Sequence, residues 1–310
     1  MPYVQNVEQH NKVMYSDNVV MVAQQMRNPL MDAVIVVPAS GEAMRVADLI
    51  GQKRYLRGEA RSRRNPENPA VGTARWLIFP EQPIESGQYI DKEDKFKLAM
   101  DPTSNFMKAD VAAVTRGYMD TILGVEDVGG NVFTPSLGGI LGVAREGKTP
   151  GTPTALPAGQ IEPAAATGMT LLKLRNAIKR LKIANFGIDA LMDPLYGLIT
   201  PQQEDDLLNI AAATGAALNA YTIEQLKSGK PTQLMGVNWI LTNRAPKNGT
   251  IRSCPIWAKS NIIVGEWEGI NGQMWNDTSA KNLPYIYTSC RIDATRVEDA
   301  GVVDIQCVEP

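Results

Sequence analysis

The chain has one histidine in 310 residues, His10, and it lies in a polar N-terminal stretch. Ser-His-Asp and Cys-His nucleophilic chemistry need a positioned imidazole, and histidine metal sites need two or more. Most hydrolase and zinc mechanisms are thereby excluded. Cysteine is also scarce. Cys254, Cys290 and Cys307 are odd in number and widely spaced. They form neither a disulfide framework nor a zinc pattern, and three reduced thiols are expected. No apolar run approaches about 20 residues, so no membrane span is expected, and the N-terminus lacks the apolar core of a signal peptide. A basic excess is missing too. The net charge is -2, whereas a dedicated nucleic-acid binder draws most of its affinity from phosphate neutralisation. No catalytic residue, metal site or cofactor is expected.

What is present is an ordinary globular composition, 44% hydrophobic and 21% charged, with 26 glycines and 20 prolines that predict many turns. Residues 1–41 read as an arm, with a short amphipathic helix at 17–27 and a strand at 33–37. Residues 42–101 change character. Lys53, Arg54, Arg57, Arg61, Arg63, Arg64 and Arg75 face only two acids, Glu59 and Glu67. Residues 75–79 read as a returning strand. From residue 81 the sign reverses, with six acids, among them Glu81, Glu85, Asp91, Glu93 and Asp94, against three lysines. Too few apolar residues are present for this excursion to hold its own core, so it is expected to need a partner. The arginines are candidates for pairing with acidic surfaces of a neighbouring subunit, which residues 81–101 and 293–309 could supply.

Helical spacing of Met107, Val111, Val114, Tyr118 and Ile122 after Asp101-Pro102 predicts a helix over 103–123, closed by Gly124. Residues 125–168 are rich in Gly, Pro and Thr and read as irregular connection with one strand. Thr170 caps a second helix, 171–182, with Leu171, Leu174, Ile178 and Leu181 inward and a strongly basic remainder including Lys173. A strand is expected at 187–192. Thr200-Pro201-Gln202-Gln203 is a capping box that opens a helix ending near Gly215. From residue 234 the pattern is β, in GVNWILTN, SNIIVGEW, LPYIYTSCRIDATRV and GVVDIQCV, with turns at 247–249 and 271–272. The last two segments are expected to pair as a hairpin around 298–301.

One motif has to be weighed. Gly142, Gly147, Lys148 and Thr149 fit the phosphate-loop pattern G-x-x-x-x-G-K-[ST]. That loop needs a helix starting at the Lys and Thr. Pro150-Gly151-Thr152-Pro153 cannot supply one, so the match reads as coincidence.

The order arm, charged excursion, long helix, helix–strand–helix and closing strands resembles the major capsid proteins of tailed bacteriophages with the Hong Kong 97-like (HK97-like) fold. The resemblance covers nearly the whole chain. DKEDKFKLAMDPTSNFMKADVAAVTRGYMDTILGV resembles the passage from the family's extended loop (E-loop) into its spine helix. TLLKLRNAIKRLKIANFGIDALMDPLYGLITPQQEDDLL resembles the helix–strand–helix of its axial domain. CPIWAKSNIIVGEWEGI and YTSCRIDATRVEDAGVVDIQC resemble its closing strands, with Ala294-Thr295-Arg296 in the usual place. The resemblance implies an α+β fold in five parts: N-terminal arm 1–41, E-loop 42–101, peripheral domain 102–168 with spine helix 103–123, axial domain 169–250, and return to the peripheral domain 251–310. It implies a shell protein, not an enzyme, that assembles with itself as hexamers and pentamers into an icosahedral phage head around double-stranded DNA held by non-specific contact. A separate scaffolding protein, a portal and a decoration protein are the other implied partners; no membrane is. The head is assembled in the host bacterial cytoplasm. An encapsulin-type compartment shell is the alternative, and a phosphate-loop enzyme a more distant one. Residues 125–168 are long for the family, and no Lys–Asn crosslinking pair is placed. With no coiled-coil heptads ahead of the arm, the subunit is expected to carry no cleaved scaffolding domain of its own.

Overall fold

The computed structural model describes residues 28–49, 73–90, 103–127, 133–147, 149–214 and 235–309. The 17–27 helix, His10, the Lys53–Arg64 basic cluster, Asp91, Glu93, Asp94 and Lys148 lie outside the described residues.

A first sheet has four strands in the order β1 (Ile35–Pro38), β14 (Ile262–Asp277), β15 (Leu283–Arg296) and β4 (Ile84–Tyr89). β1 runs parallel to β14, and the other pairings are antiparallel. Helix α1 (Thr103–Leu123) lies across β14, β15 and β4. Side chains alternate between the faces of a strand, so Ile286, Thr288 and Cys290 are buried beneath α1 with Val114, Tyr118, Met119 and Ile122. The helix matches its sequence prediction because local signals agree: a Pro before it, 3.6-residue spacing within it, and Gly124 at φ +72° to end it.

The second sheet holds β11 (Val237–Leu241), β10 (Leu195–Ile199), β13 (Ile251–Ala258), β16 (Val302–Val308) and β9 (Ile161–Glu162) in that order, with β12 (Lys247–Asn248) on β13. Helix α2 (Leu171–Ile183) buries Leu174, Ala177, Ile178 and Leu181 against Cys254, Ile256, Val303 and Ile305 of that sheet. Helix α3 (Pro201–Thr214) starts at the expected capping box, where the Thr200 amide donates to Gln203 Oε1 at 3.2 Å.

β16 departs from expectation. It does not pair with β15; it lies between β13 and β9 in the other sheet. Its residues Val302 to Ile305 are all buried, which requires cover on both faces and neighbours on both edges. β15 instead forms the long hairpin with β14, and Asn271-Gly272 lies within β14 beside a bulge instead of making a turn. Residues 187–192 are a turn, with the strand displaced to Leu195–Ile199. Residues 125–168 are more regular than expected and carry five short strands: β5 (Val125–Asp127), β6 (Phe133–Pro135), β7 (Ala144–Glu146), β8 (Thr152–Thr154) and β9.

β2 (Ala43–Leu49) and β3 (Thr73–Ile78) form an antiparallel ribbon, registered from Ala43 opposite Ile78 to Leu49 opposite Thr73. The charged segment between them therefore leaves and returns at one place. A third sheet, β2-β3-β7-β8, ties the ribbon to the body.

The segment 136–143 explains the glycines of the phosphate-loop match. A Cβ on Gly142 would lie 2.2 Å from the Gly138 carbonyl oxygen and 2.4 Å from that of Ser136. Gly147 takes φ +120° at the turn of the β7–β8 hairpin, and no helix follows Thr149. Gly142 serves close chain packing and Gly147 a left-handed backbone turn. Gly142→Ala is expected to destabilise the unassembled subunit by about 1–3 kcal/mol or more, because the obstructing atoms are backbone; urea unfolding of the variant is the check.

Cys254, Cys290 and Cys307 are buried free thiols. Asp304 is buried on the face of β16 opposite Cys307, where Ser253 Oγ donates to its Oδ2 at 3.1 Å and Oδ1 has no partner among the described residues. Burial pushes its pKa up to about 6. A folded pKa above the unfolded one means stability that is full below the unfolded pKa near 4 and is lost as pH rises through about 6. The subunit is therefore expected to gain on the order of 2 kcal/mol between pH 8 and pH 4 from this group. In Asp304→Asn that pH-linked gain should vanish; urea midpoints at the two pH values measure it, and an unchanged gain would refute the assignment.

Candidate assembly surface

Odd-numbered residues of β15 face away from α1. Tyr285 and Tyr287 stand there, opposite Trp275 and Gln273 of β14 and Tyr89 and Gly87 of β4. The rings meet: Tyr89 to Tyr285 at 4.5 Å and Trp275 to Tyr285 at 5.1 Å between centroids. Tyr287 Oη donates to Glu85 at 2.6 Å, and Tyr89 Oη to Asp277 at 2.8 Å. The hydroxyls of Ser279 and then Tyr89 hold the Asp277 carboxyl below its usual range. The result is an aromatic platform edged by carboxylates, with Tyr89 51% and Trp275 44% exposed. Such a face suits guanidinium groups, which stack on rings and pair with carboxylates at once. The sequence reading missed the platform. Its signal is the alternation Tyr285-Ile286-Tyr287 with Tyr89 and Trp275 on the flanking strands.

At the root of the ribbon an ion network fastens β3 to the body. Arg75 donates to Asp299 at 2.9 Å and to the Val297 carbonyl at 3.1 Å, and lies 3.4 Å from Glu146. Arg145 meets Asp293 at 2.6 Å, and the same carboxylate accepts the Ile78 amide at 2.8 Å. Arg296, fully buried, donates to Asp299 at 2.5 Å and to the carbonyls of Thr154, at 2.8 Å, and Gly142. Three arginines thus alternate with three acids, so the buried charges are matched.

The pattern belongs to a known group of proteins. A family model for phage capsid proteins matches residues 7–309. The chain belongs to the phage capsid protein family. No curated protein sequence matches it. Its fold is that of HK97-like phage capsids. The capsid of Ralstonia phage GP4 superimposes with a TM-score of 0.69 at 10% identity, over 96% of this chain and 94% of that one. The capsid of a native GTA particle gives 0.62 at 12% identity, over 98% and 99%. A virus-like particle from Pyrococcus furiosus gives 0.50 at 13% identity, over 90% and 92%.

Within this capsid protein the expected contact residues separate. Glu81 and Glu85 are exposed, and Glu85 belongs to the aromatic platform. Arg75 does not face a neighbour. It is 2% exposed and held by its own subunit, because it enters β3 on the side that packs against β7 and residues 297–299. The acidic stretch 293–309 is likewise occupied internally: Asp293 by Arg145, Asp299 by Arg75 and Arg296, and Glu309 by Arg252 at 2.7 Å and Lys247 at 3.4 Å. Lys173, read as part of a solvated basic face, is buried. Its ammonium lies 2.8–3.0 Å from the carbonyl oxygens of Ala164, Thr167, Gly168 and Gln306, which share its three N–H donors. Among the described residues no cluster of His, Cys, Asp or Glu could hold a metal ion.

Proposed function

We propose that this capsid protein is the major head subunit of a tailed phage, assembling as hexamers and pentamers into an icosahedral shell around double-stranded DNA. The observation that carries the reading is agreement with capsid proteins along nearly the whole of this chain. The segment roles follow: arm 1–41, E-loop 42–101, peripheral domain 102–168 and 251–310, axial domain 169–250. Lys53, Arg54, Arg57, Arg61, Arg63 and Arg64 of one subunit contact the platform of Tyr89, Trp275, Tyr285, Tyr287, Glu85 and Asp277 on the next. The physical logic is that a charged loop without its own core gains order only against a neighbour.

A separate scaffolding protein guides curvature, and a portal completes the head, which is assembled in the host bacterial cytoplasm. The encapsulin-type alternative has weaker support, since the family model that matches is one for phage capsid proteins. Particles purified from producing cells, treated with nuclease and then opened, test the choice. Protected double-stranded DNA of uniform length supports the phage head. A packaged enzyme in place of DNA would contradict it.

A further inference from the structure

Residues 187–193 make a projecting turn that is firmly built. The Asp193 amide donates to the Asp189 carbonyl at 2.9 Å, and the Leu191 amide to the Asp189 carboxylate at 3.0 Å. Asp193 accepts from the amides of Gly187 and Ser260, both at 3.3 Å. What this turn displays is apolar. Ile188 is 65%, Leu191 94% and Met192 84% exposed. An apolar tip held in place and turned to water is the mark of a contact surface. Its two charges, Asp189 and Asp193, are both negative.

The same subunit carries a complementary surface. Along the outer side of α2 runs a groove of about 550 Å³, floored by Leu172, Ile183 and Met235, of which the first two are 65% and 71% exposed. Its walls are Arg175, Lys179 and Lys182, and no acid lines it among the described residues. None of the three cations has an ion-pair partner among the described residues. An acidic apolar tip and a basic apolar groove thus lie on one chain, unsatisfied by each other.

We propose that the 187–193 turn of one subunit seats in the α2 groove of the next copy of this chain. The contact joins two different patches, so it is head-to-tail, and repetition about an axis closes it into a ring. Charge complementarity fixes the orientation, and burial of Leu191 and Met192 supplies the adhesion. The inference rests on the shell reading above and names one interface within it.

The test joins the two patches covalently. In a Leu191→Cys, Ile183→Cys variant assembled into shells and treated with oxidised glutathione, a ladder of covalent oligomers is expected on non-reducing gels, absent from each single variant; the native thiols are buried. Lys179→Glu should raise the concentration needed for assembly about tenfold, the worth of roughly one charge-assisted contact, and Asp189→Lys in the same chain should restore it. That second pair decides the matter if the cysteine variant does not fold. Shells that form normally without crosslinks, or crosslinking of the turn to an added scaffolding protein only, would overturn the proposal and leave the capsid reading intact. Absence of shells or capsomers from the wild-type protein, even with its scaffolding protein, would overturn both.

Discussion

Arg296→Ala is expected to cost the unassembled subunit about 3–5 kcal/mol, the usual result of removing one member of a buried charged network. The side chain is fully buried, and its loss leaves the carbonyls of Gly142 and Thr154 without their donor and Asp299 with only Arg75. These groups belong to the 136–143 segment, the β7–β8 hairpin and the ribbon root, so one substitution loosens all three. Arg296→Lys keeps the charge but not the planar fork that reaches several acceptors, and should recover only part of the loss. Equilibrium urea unfolding measures both. A cost below about 1 kcal/mol for alanine would show the network to be dispensable.

Reversal of Arg63 and Arg64 to Glu is expected to abolish shell formation while far-UV circular dichroism stays unchanged. A single exposed ion pair contributes only about 0–1 kcal/mol. In a shell, however, every subunit repeats the defect, and reversal places like charges opposite Glu85 and Asp277 on the platform. Raising the salt should weaken wild-type assembly in the same direction. Adding Glu85→Lys and Asp277→Lys to the reversed chain should recover particles in part. Normal shells from the Arg63, Arg64 variant would show the basic stretch to be merely solvated.

Features set by neighbouring residues were legible. Helix α1 follows from Pro102, the spacing of Val114, Tyr118 and Ile122, and Gly124; α2 and α3 follow from the caps at Thr170 and Thr200. Features set by distant partners were not. β16 pairs with a strand some fifty residues earlier, skipping the hairpin between them, and nothing in its own seven residues names that partner. Arg75 and Arg63 look alike in sequence, yet the first is neutralised by Asp299, more than 200 positions away, and by Glu146. Lys173 lies on the outward arc of a helical wheel only until residues 164–168 fold over it. Residues 187–192 read as strand because Ile188, Leu191 and Met192 are hydrophobic. A sequence cannot distinguish apolar residues meant for a core from those left exposed for a contact.

The central claim is that this subunit completes itself only against its neighbours in a shell. Electron cryomicroscopy of assembled particles tests it most directly. The account predicts a closed icosahedral shell in which residues 50–72 of each subunit lie across the Tyr89–Trp275–Tyr285 platform of an adjacent one. A compact, non-assembling monomer with that segment folded onto its own body would contradict it.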